Sequence, residues 1–196
     1  SVPGMANRLA GRLADRICIS LPCEPAIPAA KTVQTGNPVR REILTAAAGA
    51  RPAAEVPTLP VLGGSQGAHR VNMLMLEAAE MLIAEGRPLR IIHQTGTADE
   101  ATVREGYQRI GAEAEVSAFI RDMAAVYRRA DLAVSRAGAT TLAELAVMGV
   151  PALVVPFPFA ADNHQLTNGK YYEKAGGCVV FPEAALTGQF LGKVVS

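Results

Sequence analysis

The sequence has no tryptophan, only 5% aromatic residues, and three cysteines among 196 residues. Cys18, Cys23 and Cys178 are odd in number and widely spaced, which suits a reducing compartment better than a disulfide scaffold. Cys18 and Cys23 lack the second pair that a zinc site needs, and His69, His93 and His164 show no ligand spacing, so no metal site is expected. Charge is also sparse: 19% of residues are charged, the net charge is +1, and Lys and Arg form no extended run. A nucleic-acid partner needs a basic stripe, so that class is set aside. No stretch approaches the ~20 uninterrupted apolar residues of a membrane-spanning helix. A Ser-His-Asp order, paired catalytic carboxylates and a Walker-type Gly-Lys-Ser/Thr sequence are all missing, and no cofactor motif stands out. Ser1-Val2-Pro3-Gly4 shows neither a Met start nor a signal-peptide apolar region, and reads as the middle of a longer chain.

What is present is a folded composition, 49% hydrophobic, with a regular alternation from about residue 57 onward. Leu59–Leu62, Leu89–Ile92, Leu132–Ser135, Ala152–Val155 and Cys178–Phe181 read as buried strands bounded by Gly, Pro or polar turns. Between them, Val71, Leu74, Ala78 and Leu82 recur at helical spacing, as do Met123, Val126 and Ala130, and Leu142, Leu145 and Ala146. Continuous apolar strands separated by helices imply a parallel sheet covered on both faces, a doubly wound α/β domain. Pro60 cannot donate to a ladder, so the strand around Thr58–Leu62 is expected to be bulged or shortened there. Residues 1–36 differ: a short helix over Ala6–Ala14, a strand at Arg16–Leu21 and another near Thr32–Gln34, then a hinge at Thr35-Gly36-Asn37-Pro38. Residues 45–57 read as a loop, and a final helix is expected to begin near Leu186.

Three constellations carry chemistry. Gly63-Gly64-Ser65-Gln66-Gly67 follows a strand and opens a helix, where backbone N–H groups and the helix dipole favour an anion; the bland alternative is a tight turn with no ligand. Arg136-Ala137-Gly138-Ala139-Thr140-Thr141-Leu142-Ala143-Glu144 repeats that arrangement. Glu144, about one and a half turns into the helix, is placed either to accept two hydrogen bonds from a ribose diol or simply to offset the helix dipole. Two anion-type loops at strand C-termini of one sheet point to the crevice where open α/β sheets bind ligands. The third segment, Pro156 to Asn168, places polar amides after a proline-stiffened strand exit, suited to sugar hydroxyls or to a plain helix cap at Asp162.

These motifs occur in an order that resembles one family. Pro3-Gly4-Met5-Ala6-Asn7-Arg8, Thr35-Gly36-Asn37-Pro38-Val39-Arg40, Gly63-Gly64-Ser65-Gln66-Gly67-Ala68, Ser135–Thr141 with Glu144, and Asp162-Asn163-His164-Gln165 with Asn168 together resemble the bacterial MurG family. These are the GT-B N-acetylglucosaminyltransferases of peptidoglycan synthesis. The resemblance implies a GT-B Rossmann-like donor domain over residues 37–196, truncated at its C-terminal end, with residues 1–36 as the end of an acceptor domain. It implies metal-independent, inverting transfer of N-acetylglucosamine from UDP to lipid I, giving lipid II, at the cytoplasmic face of the membrane. It also implies site roles. Arg40 and Ser65 would meet the phosphate–ribose region, and the Ile120 backbone would read uracil. Gly63, Gly64, Gly67 and Gly138 would shape the phosphate loops, with Ala139, Thr140, Thr141, Leu142 and Ala143 along the diphosphate and sugar. Glu144 would hold the ribose. His164, Gln165 and Asn168 would recognise N-acetylglucosamine, with Asn7 reaching in from the other side. The family's N-terminal Gly-rich loop, with its proposed general-base His, has no counterpart here, nor has its returning C-terminal helix; Pro60 and His69 stand where an aliphatic residue and often an Arg are usual. The resemblance therefore places the base outside these residues. Alternatives are another nucleotide-sugar GT-B transferase or a non-catalytic nucleotide-sugar-binding module.

Overall fold

A computed structural model describes residues 5–22, 29–50, 52, 55–64, 66–160 and 163–196. The chain opens with α1 (Met5–Leu13), then β1 (Ile17–Ile19) and β2 (Thr32–Gln34), which pair in parallel with Ile17 opposite Thr32. Lys31 Nζ donates to the carbonyls of Ala14 (2.8 Å) and Arg12 (3.3 Å), neutralising the electronegative C-terminal end of α1. The expected hinge is an irregular segment, residues 35–40, tied back by Thr35 N–H to Ile19 O (3.0 Å) and by Ser20 Oγ to Asn37 Oδ1 (3.1 Å).

The main body contains α2 (Arg41–Ala47), β3 (Thr58–Leu62), α3 (His69–Ala84), β4 (Arg90–Gln94), α4 (Glu100–Arg109) and β5 (Glu113–Ser117). There follow α5 (Met123–Arg129), β6 (Ala133–Ser135), α6 (Ala139–Met148), β7 (Ala152–Val154), α7 (His164–Lys174), β8 (Cys178–Val180) and α8 (Gly188–Val195). The strands form one parallel sheet in the order β5-β4-β3-β6-β7-β8. Alternate strand residues serve two cores. Leu59, Val61, Val134 and Leu153 pack with Val71, Leu74, Val103, Tyr107 and Leu191 on one face. Leu62, Ala133, Ala152 and Val154 pack with Ile43, Tyr127, Leu142 and Leu145 on the other. Helices thus cover both faces, which is why the central strands are buried at every position and mostly apolar.

Pro60 does not bulge its strand: β3 pairs with β4 in unbroken register from Thr58–Arg90 to Leu62–Gln94. The reason is parity. Thr58 O accepts from Asp131 N (2.9 Å) and Leu62 O from Arg136 N (3.2 Å), so the even positions of β3 face β6. Pro60 therefore withholds its missing donor from the β6 side, where paired residues begin only at Val61. The Asp131 carboxylate closes that side by accepting from Thr58 N–H (2.8 Å).

Two other expectations are corrected. Thr45, Ala46 and Ala47 are not loop but the last turn of α2, which buries Ile43 completely. The last helix starts at Gly188, where the Thr187 hydroxyl caps Phe190 N–H (3.1 Å), and a 3-10 turn (Glu183–Ala185) precedes it. Helix α8 lies against α3 with Gly188 over Glu77 and Gly192 over Met81; a methyl at either glycine would overlap those side chains. Glu77 Oε2 also accepts from Gly188 N–H (3.1 Å).

Candidate functional site

The sheet reverses its direction of winding between β3 and β6, and ligands of open α/β sheets bind at such a point, beyond the strand C-termini. Leu62 is registered opposite Ser135, so the loops leaving β3 and β6 begin side by side. At α3 and α6 the N-caps are Ala68 and Gly138, neither with a side-chain cap, leaving first-turn N–H groups for another acceptor.

The first loop is shaped by glycine. Gly64 and Gly67 have φ of +82° and +77°, and a Cβ on Gly67 would lie 2.5 Å from Thr95 O. Gly96 makes the reciprocal approach, its would-be Cβ 2.7 Å from Gly67 N. Behind the contact runs a polar chain absent from the sequence reading. His69 Nδ1 meets Asp99 Oδ1 (2.9 Å), and Asn72 Nδ2 donates to Asp99 Oδ2 (2.8 Å) and Thr95 O (3.0 Å). Asn72 Oδ1 lies 3.0 Å from His93 Nε2, and His93 Nδ1 lies 2.9 Å from the Tyr107 hydroxyl. Because Asn72 Oδ1 can only accept, His93 carries its proton on Nε2 and Tyr107 donates to Nδ1. Burial pushes the His93 pKa down to about 3 and raises that of Tyr107, so both stay neutral.

The second loop is held by side chains. Gln165 Oε1 accepts from Ala137 N–H (3.2 Å) and Phe157 N–H (2.9 Å), while Asn168 Nδ2 donates to Ala137 O (3.3 Å). Arg136 turns away, donating to Val155 O (3.2 Å) and Pro156 O (3.3 Å), pairing with Glu183 and lying over the Phe157 ring.

Glu144, on α6, is only 2% exposed, and its carboxylate receives Arg40 Nε (2.8 Å), Arg40 Nη2 (3.1 Å) and the Tyr127 hydroxyl (3.1 Å). Arg40 is the outward member of the pair, its side chain 42% exposed. The hydrogen bond to Glu144 makes its proton still harder to remove. Burial and the nearby Glu144 charge raise the Tyr127 pKa, keeping the phenol a donor. Tyr127 was not singled out in the sequence, although a tyrosine on the buried face of Met123, Val126 and Ala130 needs a partner for its hydroxyl.

The remaining expected positions are distributed as follows. Thr140 is exposed and Thr141 and Ala139 half-buried at the start of α6; Ala143 is buried and Leu142 is core, its N–H bonded to Gly138 O (3.0 Å). His164 is exposed at the start of α7, whose N-cap is Asn163. Ile120 follows β5, and its N–H is bonded to Gln94 Oε1 (3.0 Å). Asn7 is exposed on α1, and no hydrogen bond recorded among the described residues joins it to either loop. Ser65 and the expected cap Asp162 lie outside the described residues. Among the described residues, no group of three or more His, Cys, Asp or Glu is placed to hold a metal, and no helix is long and apolar enough to cross a membrane.

Residues 58–196 match the glycosyltransferase family 28 C-terminal domain. The chain belongs to this family. A family member from Desulfotalea psychrophila is 51% identical over 197 residues, covering 100% of this chain and 53% of the relative. Another from Geobacter sulfurreducens is 44% identical over 200 residues, covering 100% of this chain and 55% of the relative. Both relatives are named UDP-N-acetylglucosamine–N-acetylmuramyl-(pentapeptide) pyrophosphoryl-undecaprenol N-acetylglucosamine transferase. The crystal structure of Acinetobacter baumannii MurG superposes with a TM-score of 0.77 at 32% identity, over 99% of this chain and 55% of that one. The glycosyltransferase of kitacinnamycin, 22% identical over 93% of this chain and 46% of that one with a TM-score of 0.68, shares the fold. The family 28 chain spans about half the length of the curated relatives it matches.

Proposed function

We propose that this chain is the UDP-N-acetylglucosamine-binding half of an inverting, metal-independent N-acetylglucosaminyltransferase that converts lipid I to lipid II. The observation that carries the reading is the pair of side-by-side loops at the switch point, each leading into a helix without a side-chain cap. It is supported by the names of relatives as similar as 51%. Residues 37–196 make the donor domain, and residues 1–36 end an acceptor domain that carries the base. The whole enzyme works as a peripheral protein at the cytoplasmic face of the membrane, where its polyprenyl acceptor lies.

In this reading the acceptor's muramyl 4-hydroxyl attacks the anomeric carbon opposite the leaving UDP, and the two loops stabilise the charge that builds on the diphosphate. Gly63, Gly64, Gly67 and Gly138 let the backbone approach that diphosphate, with Ser65, Ala139, Thr140 and Thr141 beside it. Leu142 and Ala143 fix the course of α6 beneath it. His164 and the amide nitrogen of Gln165 face the sugar. Asn168 acts by holding the Ala137 carbonyl, and Asn7 approaches from the acceptor side.

Glu144 and Arg40 exchange partners. A carboxylate offers about four acceptor positions, and three are taken by Arg40 and Tyr127. Two hydrogen bonds from a ribose diol therefore require the exposed Arg40 to release Glu144, which frees its guanidinium for the phosphate.

Isothermal titration of the chain with UDP-N-acetylglucosamine, with and without EDTA, tests this reading. Binding unaffected by EDTA is the expected outcome; binding abolished by the chelator overturns the metal-free model, and no binding overturns the donor-half reading. The chain alone should not turn over a soluble lipid I analogue, because the base lies in the acceptor domain; clear transfer would place a base within these 196 residues.

A further inference from the structure

The segment between β8 and α8 carries no motif, yet side chains from both crevice loops reach it. Its 3-10 turn, Glu183–Ala185, is closed by Ala185 N–H to Pro182 O (2.9 Å) and Leu186 N–H to Glu183 O (3.2 Å). Leu186 anchors the turn in the same core as Val71 and Leu74 of α3. From the second loop, Arg136 Nη2 pairs with Glu183 Oε2 at 2.5 Å, and the two side chains are only 11% and 18% exposed. From the first turn of α3, Arg70 Nη2 donates to Leu186 O (3.3 Å). The Arg136 guanidinium also donates to Val155 O and Pro156 O, so it joins the chain leaving β6 to the segments that follow β7 and β8. A planar fork of donors spans these partners from one side chain, which suits arginine and not lysine.

The β3–β6 ladder holds the two loops together only at their roots, where Arg136 N–H donates to Leu62 O (3.2 Å). Beyond that bond, among the described residues, no hydrogen bond joins residues 66–70 directly to residues 137–141. The link runs through the turn instead, from Arg136 to Glu183 on one side and from Leu186 to Arg70 on the other. Resting on the donor-binding reading above, we propose that Arg136 and Glu183 are positioning residues that set the separation of the two loops, and with it the fit of a diphosphate held between them. Guanidinium and carboxylate are spent on each other and on backbone carbonyls, so the pair acts through the loops it joins. Both charges are largely withdrawn from water, so removing one partner leaves the other uncompensated and releases the turn. A diphosphate reached from both loops feels their separation; a monophosphate, which offers one phosphate to the same donors, feels it less.

The test compares UDP and UMP by titration calorimetry on the wild-type chain, Glu183→Gln, Glu183→Asp, Arg136→Met and the double variant Arg136→Met with Glu183→Gln, with thermal unfolding of each. The wild type should prefer UDP to UMP by at least about tenfold, the worth of the charge-assisted hydrogen bonds to a second phosphate. Glu183→Gln should bring that preference to within about threefold by weakening UDP, with UMP binding unchanged. Glu183→Asp keeps the charge but shortens the reach by one methylene; it should fold even where the neutral variant does not, and give an intermediate ratio. The double variant should lose no more of the ratio than the worse single one, because both changes cut the same link. A wild-type UDP/UMP ratio in the folded Glu183 variants overturns the proposal, and additive losses in the double variant overturn the link between the two residues. Parallel loss of UDP, UMP and thermal stability also overturns it, because that is a merely structural role. A wild-type chain that binds neither nucleotide sinks the donor-binding reading itself, and the assignment of Arg136 and Glu183 falls with it.

Discussion

The loops after β3 and β6 meet the crevice side by side, yet they are held in different ways. The first is defined by what it lacks: Gly67 and Gly96 touch backbone to backbone, leaving no room for a Cβ on either. The second is held by reach, with Gln165 and Asn168 spanning from α7 to both polar groups of Ala137. A steric fit of this kind fails abruptly when any atom is added. A side-chain clamp fails by degrees, one hydrogen bond at a time. The same crevice is therefore rigid on one side and adjustable on the other.

Gly67→Val is expected to have the largest effect, because it combines a positive φ with a clash against Thr95 O. We expect a loss of roughly 3 kcal/mol or more in stability, with UDP binding abolished, as read by chemical denaturation and calorimetry. Near-normal binding would mean that the backbone contact does not set the loop. Glu144→Ala comes next, at about 1.5–3 kcal/mol of UDP affinity, or about 10- to 100-fold. Its affinity for 2′,3′-dideoxy-UDP should hardly change, and equal losses for both ligands would reduce Glu144 to an anchor for Arg40. Asn168→Leu should cost about 1–2 kcal/mol of stability by leaving the buried Ala137 carbonyl unsatisfied. A graded loss of UDP-N-acetylglucosamine affinity should accompany it. Loss as abrupt as that of Gly67→Val would erase the contrast between the loops.

The smallest effect is a pH dependence belonging to the glycine side alone. His93 titrates near 3 when folded against an ordinary value of 6.5, so between those values the unfolded chain binds the extra proton. Its contribution is complete above pH 6.5 and declines as pH falls towards 3. A shift from pH 7 to 5.5 should remove about 1 kcal/mol of stability. Burial works to raise the Asp99 pKa, but hydrogen bonds from His69 and Asn72 outweigh it and hold the group low, so its contribution is lost at the acid end of the same limb. His93→Gln should flatten the decline between pH 7 and 5.5. An unchanged slope would assign the acid sensitivity elsewhere.

The sequence made the alternation of the α/β domain legible because the central strands are buried on both faces and therefore mostly apolar. It hid β5, a solvent-edge strand whose Glu113 and Glu115 pair with Arg90 and Arg129, so that charge replaces apolar character on the edge open to a further strand. It hid α4 for a related reason, since that helix buries only Val103, Gly106 and Tyr107. Both glycine-bearing loops were recognisable from local spacing. The partnership of Arg40 with Glu144 was not, because the two residues are separated by 104 positions and meet only after the sheet has formed. The contact of Gln94 with Ile120 was hidden for the same reason: the two residues meet beyond the ends of neighbouring strands, and nothing in the local sequence marks that.

The packing of α8 on α3 bears on the crevice from the far end. Glu77 and Met81 are four residues apart on α3, as are Gly188 and Gly192 on α8, so the helices engage like two teeth in two notches. A helix rises about 1.5 Å per residue, so the next position at which such teeth could engage lies roughly 6 Å along the axis. Small axial slips leave a tooth against a ridge and are opposed. Helix α3 is thus notched against α8 along one part of its length while its uncapped N-terminus lies at the other end, so the position of that tip along the helix axis is fixed in discrete steps.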